Sequence, residues 1–209
     1  MAQLSHIRCM EIYLIRHTTP NIVKGLCYGQ TDLDVTTSFV QEAEQILPHL
    51  PENISTIYSS PLQRCSKLAQ KLFPSQTITY HEHLKEVNCG QWEMQHWDEI
   101  PKQDLNPFMA DFVNIAMPGG ESYIDLYNRV INCYNYISTM PKPVAIVAHG
   151  GVIRSILSHV TNTPLIESFN VFKLYYGCVV KLIILDGTIS YQVLHNMVPV
   201  QPEQHKPSV

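Results

Sequence analysis

The chain has 209 residues, of which 45% are hydrophobic and 15% are charged, and its formal net charge is −4 at pH 7. This length and composition fit one domain with a sizeable core and exclude a largely disordered chain. The acidic balance, without a long basic block, argues against nucleic acid and anionic membrane as partners, but it is compatible with a local phosphate site.

Signals for export are missing from the sequence. No stretch approaches the ~18 apolar residues of a membrane span, and the first ten residues, MAQLSHIRCM, lack the apolar core of a secretory signal. The six cysteines are far apart and include no Cys-x-x-Cys pair. We therefore expect free thiols and a cytoplasmic location.

Strands and helices alternate along the predicted chain. The first half gives a strand at 11–16, a helix at 36–50, a strand at 54–60, a helix at 60–73 starting from Ser60 and Pro61, and a strand at 77–80. The second half gives irregular chain over 81–121 with a helix near 103–115, a helix at 121–139 beginning near Ser122, a strand at 143–149, a helix at 151–160 and a hairpin at 178–194 around Asp186-Gly187.

This alternation predicts an α/β fold with a mainly parallel sheet, to which the final hairpin adds antiparallel strands at one edge. No linker or internal repeat divides the chain. We expect a single domain over residues 1–197 and a flexible tail over 198–209, where prolines are frequent and apolar residues are few.

Basic side chains stand at three predicted strand exits. Arg16 and His17 follow the first strand, Arg64 lies on the first turn after the second, and His149 ends the fourth. Parallel strands end at one edge of a sheet, where ligands gather. Arg16-His17 alone is equally compatible with a solvated strand end. Together, two arginines and two histidines without a carboxylate would repel one another unless they hold an anion, and arginine suits phosphate oxygens.

Five motifs resemble, in the same order, those of the histidine phosphatase superfamily, which includes the cofactor-dependent phosphoglycerate mutases: LIRHTTP, YSSPLQRCSKLA, LKEVNCGQWE, PGGES and VAHGGVIR. The stretch GLCYGQTD is most similar to the α-ribazole phosphatase branch, which acts late in cobalamin assembly. The resemblance implies a phosphoglycerate mutase-like, three-layer sandwich with helices on both sides of the sheet. It also implies a phosphomonoester hydrolase that uses neither a metal nor another cofactor.

Residue by residue, the resemblance makes His17 the nucleophile and Arg16, Arg64 and His149 the phosphate clamp. Glu86 falls where the family keeps its proton donor, and it would later act as base when water attacks the phosphohistidine. The arginines would supply the electrostatic stabilisation that a metal supplies elsewhere. Further substrate-binding residues are expected at Thr18, Asn21, Gly29, Gln30 and Gly150.

Three functions remain open. The first is a phosphomonoester hydrolase, with α-ribazole 5′-phosphate as the leading small-molecule substrate over other sugar or metabolite phosphates. The second is a phosphoglycerate mutase, although the short segment from Glu86 to Gly119 argues against the thick lid that a mutase needs. The third is a non-catalytic phosphate-binding module. The oligomeric state is open, and a homodimer is compatible with the sequence.

Two pairs of side chains have alternative interpretations. His81 and His83 share a strand face, but without a third ligand exposed loop histidines are favoured over a metal site. Trp92 and Trp97 either stack against a ring substrate or pack in a core.

Overall fold

One mixed β-sheet with helices on both faces forms the frame of the protein. The computed structural model describes residues 10–141, 143–185 and 187–199. Within these ranges the sheet has six strands, β1 (Met10–Arg16), β2 (Thr56–Ser59), β3 (Ile78–Tyr80), β4 (Val144–Ala148), β5 (Val179–Leu185) and β6 (Thr188–His195). The same ranges contain six α-helices, α1 (Phe39–Ile46), α2 (Gln63–Leu72), α3 (Lys102–Ala110), α4 (Tyr123–Ile137), α5 (Gly150–Thr161) and α6 (Ser168–Val171).

The strand order is β3-β2-β4-β1-β5-β6. Strands β3, β2, β4 and β1 are parallel, whereas β5 pairs antiparallel with β1 and β6 antiparallel with β5. The predicted mainly parallel sheet with a C-terminal antiparallel hairpin is confirmed. In the register, Arg16 lies opposite Ala148 and Ser59 opposite Val147, so β1, β4 and β2 end at the same edge.

Strand β1 shows why the sheet is covered on both faces. Ile12 and Leu14 pack in a core with α4 and α5, while Tyr13 and Ile15 pack on the opposite face with α1 and α2. Successive side chains of a strand point to opposite faces, so a continuous apolar run requires a helix layer on each side. The three-layer arrangement is therefore confirmed.

The helix boundaries agree with the sequence at one site and differ at another. Ser122 caps α4 as predicted, and Asp125 completes a capping box because its carboxylate accepts from the Ser122 N–H. Helix α2, in contrast, begins at Gln63 rather than at Ser60 and Pro61. The Ser60 hydroxyl lies 2.8 Å from His149 Nε2, and its bond from the Leu62 N–H is long, at 3.3 Å. The predicted cap is wrong, because the shorter hydrogen bond of the Ser60 hydroxyl is with His149, the residue that follows strand β4.

Part of the predicted C-terminal tail, residues 200–209, lies outside the described residues, as does Asp186 of the predicted hairpin turn. The division into one domain and a tail stays a prediction. The five cysteines in the described ranges are buried free thiols. No helix in the same ranges has the length and apolar character needed to cross a membrane.

Candidate active site

The four basic residues predicted at the strand exits come together at one edge of the sheet. His17 and His149 leave adjacent strands, and the centroids of their rings are 5.1 Å apart. Arg64 reaches the same place from α2. All four side chains are buried, with exposed fractions of 4% for Arg16, 2% for His17 and 0% for Arg64 and His149. A cluster of this composition inside the protein requires defined partners for each group.

The hydrogen bond of the His17 ring fixes its tautomer. His17 Nδ1 lies 2.7 Å from the Thr18 carbonyl oxygen. Because a carbonyl oxygen can only accept, we assign the ring proton to Nδ1, which leaves the lone pair on Nε2. The backbone on both sides is tied to the sheet region, since the His17 N–H donates to Ala148 and its carbonyl accepts from Gly177. The ring is thus held in the form that nucleophilic attack needs.

Arg64 is anchored by the loop at residues 29–31. Its Nη2 donates to the Gly29 carbonyl at 2.6 Å and its Nη1 to the Thr31 carbonyl at 2.9 Å. Its buried Nε has no hydrogen-bond partner among the described residues. The guanidinium therefore has a fixed orientation and still has donor capacity for a ligand.

The carboxylate of Glu93 holds the same loop from the other side. It accepts from the backbone N–H groups of Gly29 at 3.0 Å, Gln30 at 2.8 Å and Thr31 at 3.2 Å. Burial alone would raise the pKa of Glu93, but hydrogen bonds led by those of Thr31 and Gly29 lower it below its usual value. Glu93 is therefore an ionised support for the loop that orients Arg64.

Gly29 and Gln30 are held by several hydrogen bonds. Their backbone N–H groups both donate to Glu93, and their role in substrate binding stays a prediction. The Gln30 side chain donates to the Glu86 carbonyl at 3.0 Å. The two residues therefore support Arg64 and Glu86, and their backbone donors are already engaged.

His149 is a neutral member of the cluster. Burial, followed by the charge of Arg64, lowers the pKa of His149 well below 6.5. Its Nε2 lies 2.8 Å from the Ser60 hydroxyl and 3.4 Å from the Cys65 sulfur. The positive charge of the site is consequently carried by arginines, while His149 provides a hydrogen-bonding ring.

Glu86 is fixed against the start of α5. Its Oε2 accepts from the Gly151 N–H at 3.0 Å, and its Oε1 accepts from the Val87 N–H at 2.9 Å. A Cβ atom on Gly151 would lie 2.3 Å from Glu86 Oε1, so only glycine fits there without moving the carboxyl group. The nearby Glu121 is committed elsewhere, because it forms an ion pair with Arg129 with an N–O distance of 2.7 Å.

The other predicted binding residues differ in their burial and in their hydrogen bonds. Thr18 is fully buried, and its hydroxyl has no partner among the described residues. Gly150 is buried at the first residue of α5. Asn21 is exposed, and its backbone N–H donates to the Asp34 carbonyl at 2.8 Å. Its role in substrate binding stays a prediction.

Three further residues at the site were missed in the sequence. The Tyr176 ring lies 5.4 Å from the His17 ring and 4.1 Å from the Arg16 guanidinium carbon. Its hydroxyl is 2.6 Å from that of Tyr28, whose pKa is raised well above 10 by burial and by Tyr176. The third is Arg154, whose Nη1 approaches Gly150 on the same side as the Nε of Arg16. Tyr28 and Arg154 lie inside quoted motifs, GLCYGQTD and VAHGGVIR, which could have indicated them, whereas no motif marked Tyr176.

The structure bears on the two residue pairs that have alternative interpretations. The His81 and His83 rings are 5.2 Å apart, and the described ranges contain no group of three His, Cys, Asp or Glu side chains arranged for a metal. Trp92 and Trp97 are buried in a small separate core, with their ring centroids 6.2 Å apart. The packing interpretation of the tryptophans therefore holds.

Comparison with known proteins relates most of the chain to one family. The family described as "Histidine phosphatase superfamily (branch 1)" matches residues 12–197. The adenosylcobalamin/α-ribazole phosphatase of Salmonella typhimurium is 24% identical over 93% of this chain and 100% of its own. The metal-independent phosphoserine phosphatase of Arabidopsis thaliana is 30% identical over 72% of this chain and 68% of its own. In fold, the α-ribazole phosphatase of Shigella flexneri is similar with a TM-score of 0.81 at 20% identity, over 96% of this chain and 99% of its own.

Proposed function

Since this chain belongs to the histidine phosphatase superfamily, we propose that it hydrolyses phosphomonoesters through a phosphohistidine on His17. The observation that carries the proposal is the hydrogen bond from His17 Nδ1 to the Thr18 carbonyl. It leaves Nε2 as a nucleophile in a cluster that also holds Arg16, Arg64 and His149. A non-catalytic phosphate-binding module would not need this tautomer.

The reaction proceeds in two transfers of one phosphoryl group. His17 Nε2 attacks phosphorus while the arginines stabilise charge on the non-bridging oxygens. The bond to the ester oxygen breaks, and that oxygen leaves as an alcohol with a proton from Glu86. Water then attacks the phosphohistidine and gives its proton to Glu86, which releases phosphate and restores His17. The donor set of arginines and imidazoles suits an anion, so this sequence of steps requires no metal.

The leading substrate is α-ribazole 5′-phosphate. The stretch GLCYGQTD and the similarity to the Salmonella typhimurium phosphatase support it. O-Phosphoserine is the second candidate, supported by similarity to the Arabidopsis thaliana phosphatase. The five buried free thiols support action in a reducing cytoplasm.

A screen of phosphomonoesters tests the proposal. It should include α-ribazole 5′-phosphate, O-phosphoserine, 3-phosphoglycerate, sugar phosphates and p-nitrophenyl phosphate. We expect metal-independent turnover that survives EDTA, and rapid quench should trap an acid-labile, base-stable phosphoenzyme. His17→Ala should fold but form no phosphoenzyme, whereas the exposed His83→Ala should match the parent. Turnover by His17→Ala near the parent rate would overturn the mechanism, and dependence on 2,3-bisphosphoglycerate would indicate a mutase.

A further inference from the structure

Arg154 differs from the other half-buried arginine outside the predicted clamp, Arg129. Arg129 forms an ion pair with Glu121, and its amino groups also donate to backbone carbonyls, including that of Glu86 at 2.8 Å. Arg154 forms no ion pair with any described residue. Its Nε donates to the Phe172 carbonyl at 3.2 Å, and its guanidinium carbon lies 4.4 Å from the centre of the Phe169 ring. Both terminal amino groups of Arg154 therefore retain their donor capacity.

The position of Arg154 is unfavourable in the absence of a ligand. Burial, followed by the charge of Arg16, lowers the pKa of Arg154 below its usual value. A cation that is partly removed from water and forms no ion pair costs stability. Such a group commonly marks a functional position, because a bound anion supplies the missing charge and hydrogen bonds.

Gly150 shows where an anion would bind. A Cβ atom built on Gly150 would lie 3.0 Å from Arg154 Nη1 and 3.4 Å from Arg16 Nε. Both guanidinium groups thus lie close to the side of Gly150 from which a side chain would project. An anionic oxygen held between the two groups can accept from both arginines near the N-terminus of the twelve-residue helix α5, where the helix dipole also favours negative charge.

We propose that Arg154 binds an anionic oxygen of the substrate beside Gly150, together with Arg16. The inference rests on the proposed function, because the ligand is the phosphomonoester that His17 attacks. Two oxygens have the required chemistry. One is a non-bridging oxygen of the transferred phosphoryl group, and the other is a carboxylate oxygen on the leaving alcohol, as in O-phosphoserine.

A matched pair of substrates shows whether Arg154 binds the phosphoryl oxygen or the carboxylate oxygen. O-Phosphoserine and O-phosphoethanolamine differ by one carboxylate, and inorganic phosphate serves as a competitive inhibitor. Removing a charge-assisted hydrogen bond costs roughly tenfold or more in binding, so Arg154→Met should raise KM by about that factor. If both substrates and the inhibition constant of phosphate change together, the bound oxygen belongs to the phosphoryl group. If only O-phosphoserine changes, it belongs to the carboxylate.

Two further variants complete the test. Arg154→Lys keeps the charge but loses the planar fork, so it should recover part of the lost affinity. Lys173→Met removes one positive charge from an exposed side chain that donates to the Phe169 carbonyl, and it should behave as the parent. KM values and phosphate inhibition of Arg154→Met within about twofold of the Lys173→Met control would overturn the proposal.

Thermal unfolding distinguishes ligand binding from a structural role. Without ligand, Arg154→Met should melt at the parent temperature or above it, because a half-buried cation without an ion pair has been removed. If Arg154 binds the phosphoryl group, added phosphate should raise the melting temperature of the parent more than that of the variant, and if Arg154 binds the carboxylate, added O-phosphoserine should do so. A lower melting temperature with unchanged responses to both ligands would show that Arg154 is structural. Absence of turnover by the parent on every phosphomonoester would refute the proposed function, whereas normal turnover independent of Arg154 would refute this inference alone.

Discussion

The carboxylate of Glu86 accepts a 3.0 Å hydrogen bond from the Gly151 N–H, two residues after His149 in the chain. A residue from the long segment between β3 and α4 is thereby fixed to the helix that begins at the end of the central strand β4. The contact places a potential proton donor beside the basic cluster and makes glycine necessary at position 151, because a Cβ there would overlap Glu86.

Glu86→Gln should separate substrates by their leaving groups. Alkyl alcohols have a high pKa and need a proton as they leave, so hydrolysis of an alkyl phosphate should slow by roughly a hundredfold or more. Nitrophenolate leaves with little help, and p-nitrophenyl phosphate should still phosphorylate His17. Stopped-flow assays should show a burst of nitrophenol followed by slow turnover. The exposed Glu99→Gln serves as control, and an equal loss of phosphorylation rate on both substrate types would contradict the role of Glu86 as acid.

Gly151→Ala should reproduce this pattern without removing the carboxyl group. The new methyl would meet Glu86 Oε1 at 2.3 Å and Leu126 Cδ2 at 2.9 Å, so the carboxyl group must move. A displacement of this size costs up to about a hundredfold in rate. Alkyl phosphate hydrolysis should fall, and the double variant with Glu86→Gln should lose little more than either single one. Additive losses would show that Gly151 acts independently of Glu86.

Glu93→Gln should weaken the site through Arg64. The amide would place an NH₂ group among the N–H donors of Gly29, Gln30 and Thr31, so the loop that accepts from Arg64 loses its support. We expect about 1–3 kcal/mol lower unfolding free energy from urea titration. KM should also rise for all phosphomonoesters, whatever the leaving group. A purely structural role would lower stability and leave KM of the folded enzyme unchanged.

The neutral state of His149 predicts acid sensitivity of the fold. Burial and the charge of Arg64 hold the pKa of His149 well below 6.5, so below about pH 6.5 the ring stays neutral in the folded protein and takes up a proton on unfolding. The unfolded state binds more protons, and stability should fall as the pH drops below about 6.5. Urea unfolding in phosphate-free buffer should show a shallower pH dependence for His149→Gln. Identical slopes in parent and variant would contradict this assignment.

Short-range patterns along the chain were enough to predict most strands and helices and the side chains at the strand ends. The apolar run before Arg16 and His17, and the one before His149, specify buried strands with these residues at their carboxyl ends. The start of α4 near Ser122 was also readable, because a cap depends on residues within one helical turn. Motif order was sufficient to predict the superfamily, which the comparison confirmed over residues 12–197.

The hydrogen-bond partner of each buried polar group depends on contacts between distant parts of the chain, which short-range patterns do not contain. Ser60 matches a helix cap in sequence, but its hydroxyl forms a hydrogen bond with the ring of His149, 89 residues later. The N–H of Gly29 donates to Glu93, 64 residues away. Arg154 ends a recognised motif, yet its contact with Phe169 and its approach to the space beside Gly150 follow from packing. Local backbone preferences are fixed by neighbouring residues, whereas a buried hydrogen bond goes to whichever group the fold brings within 3 Å or so.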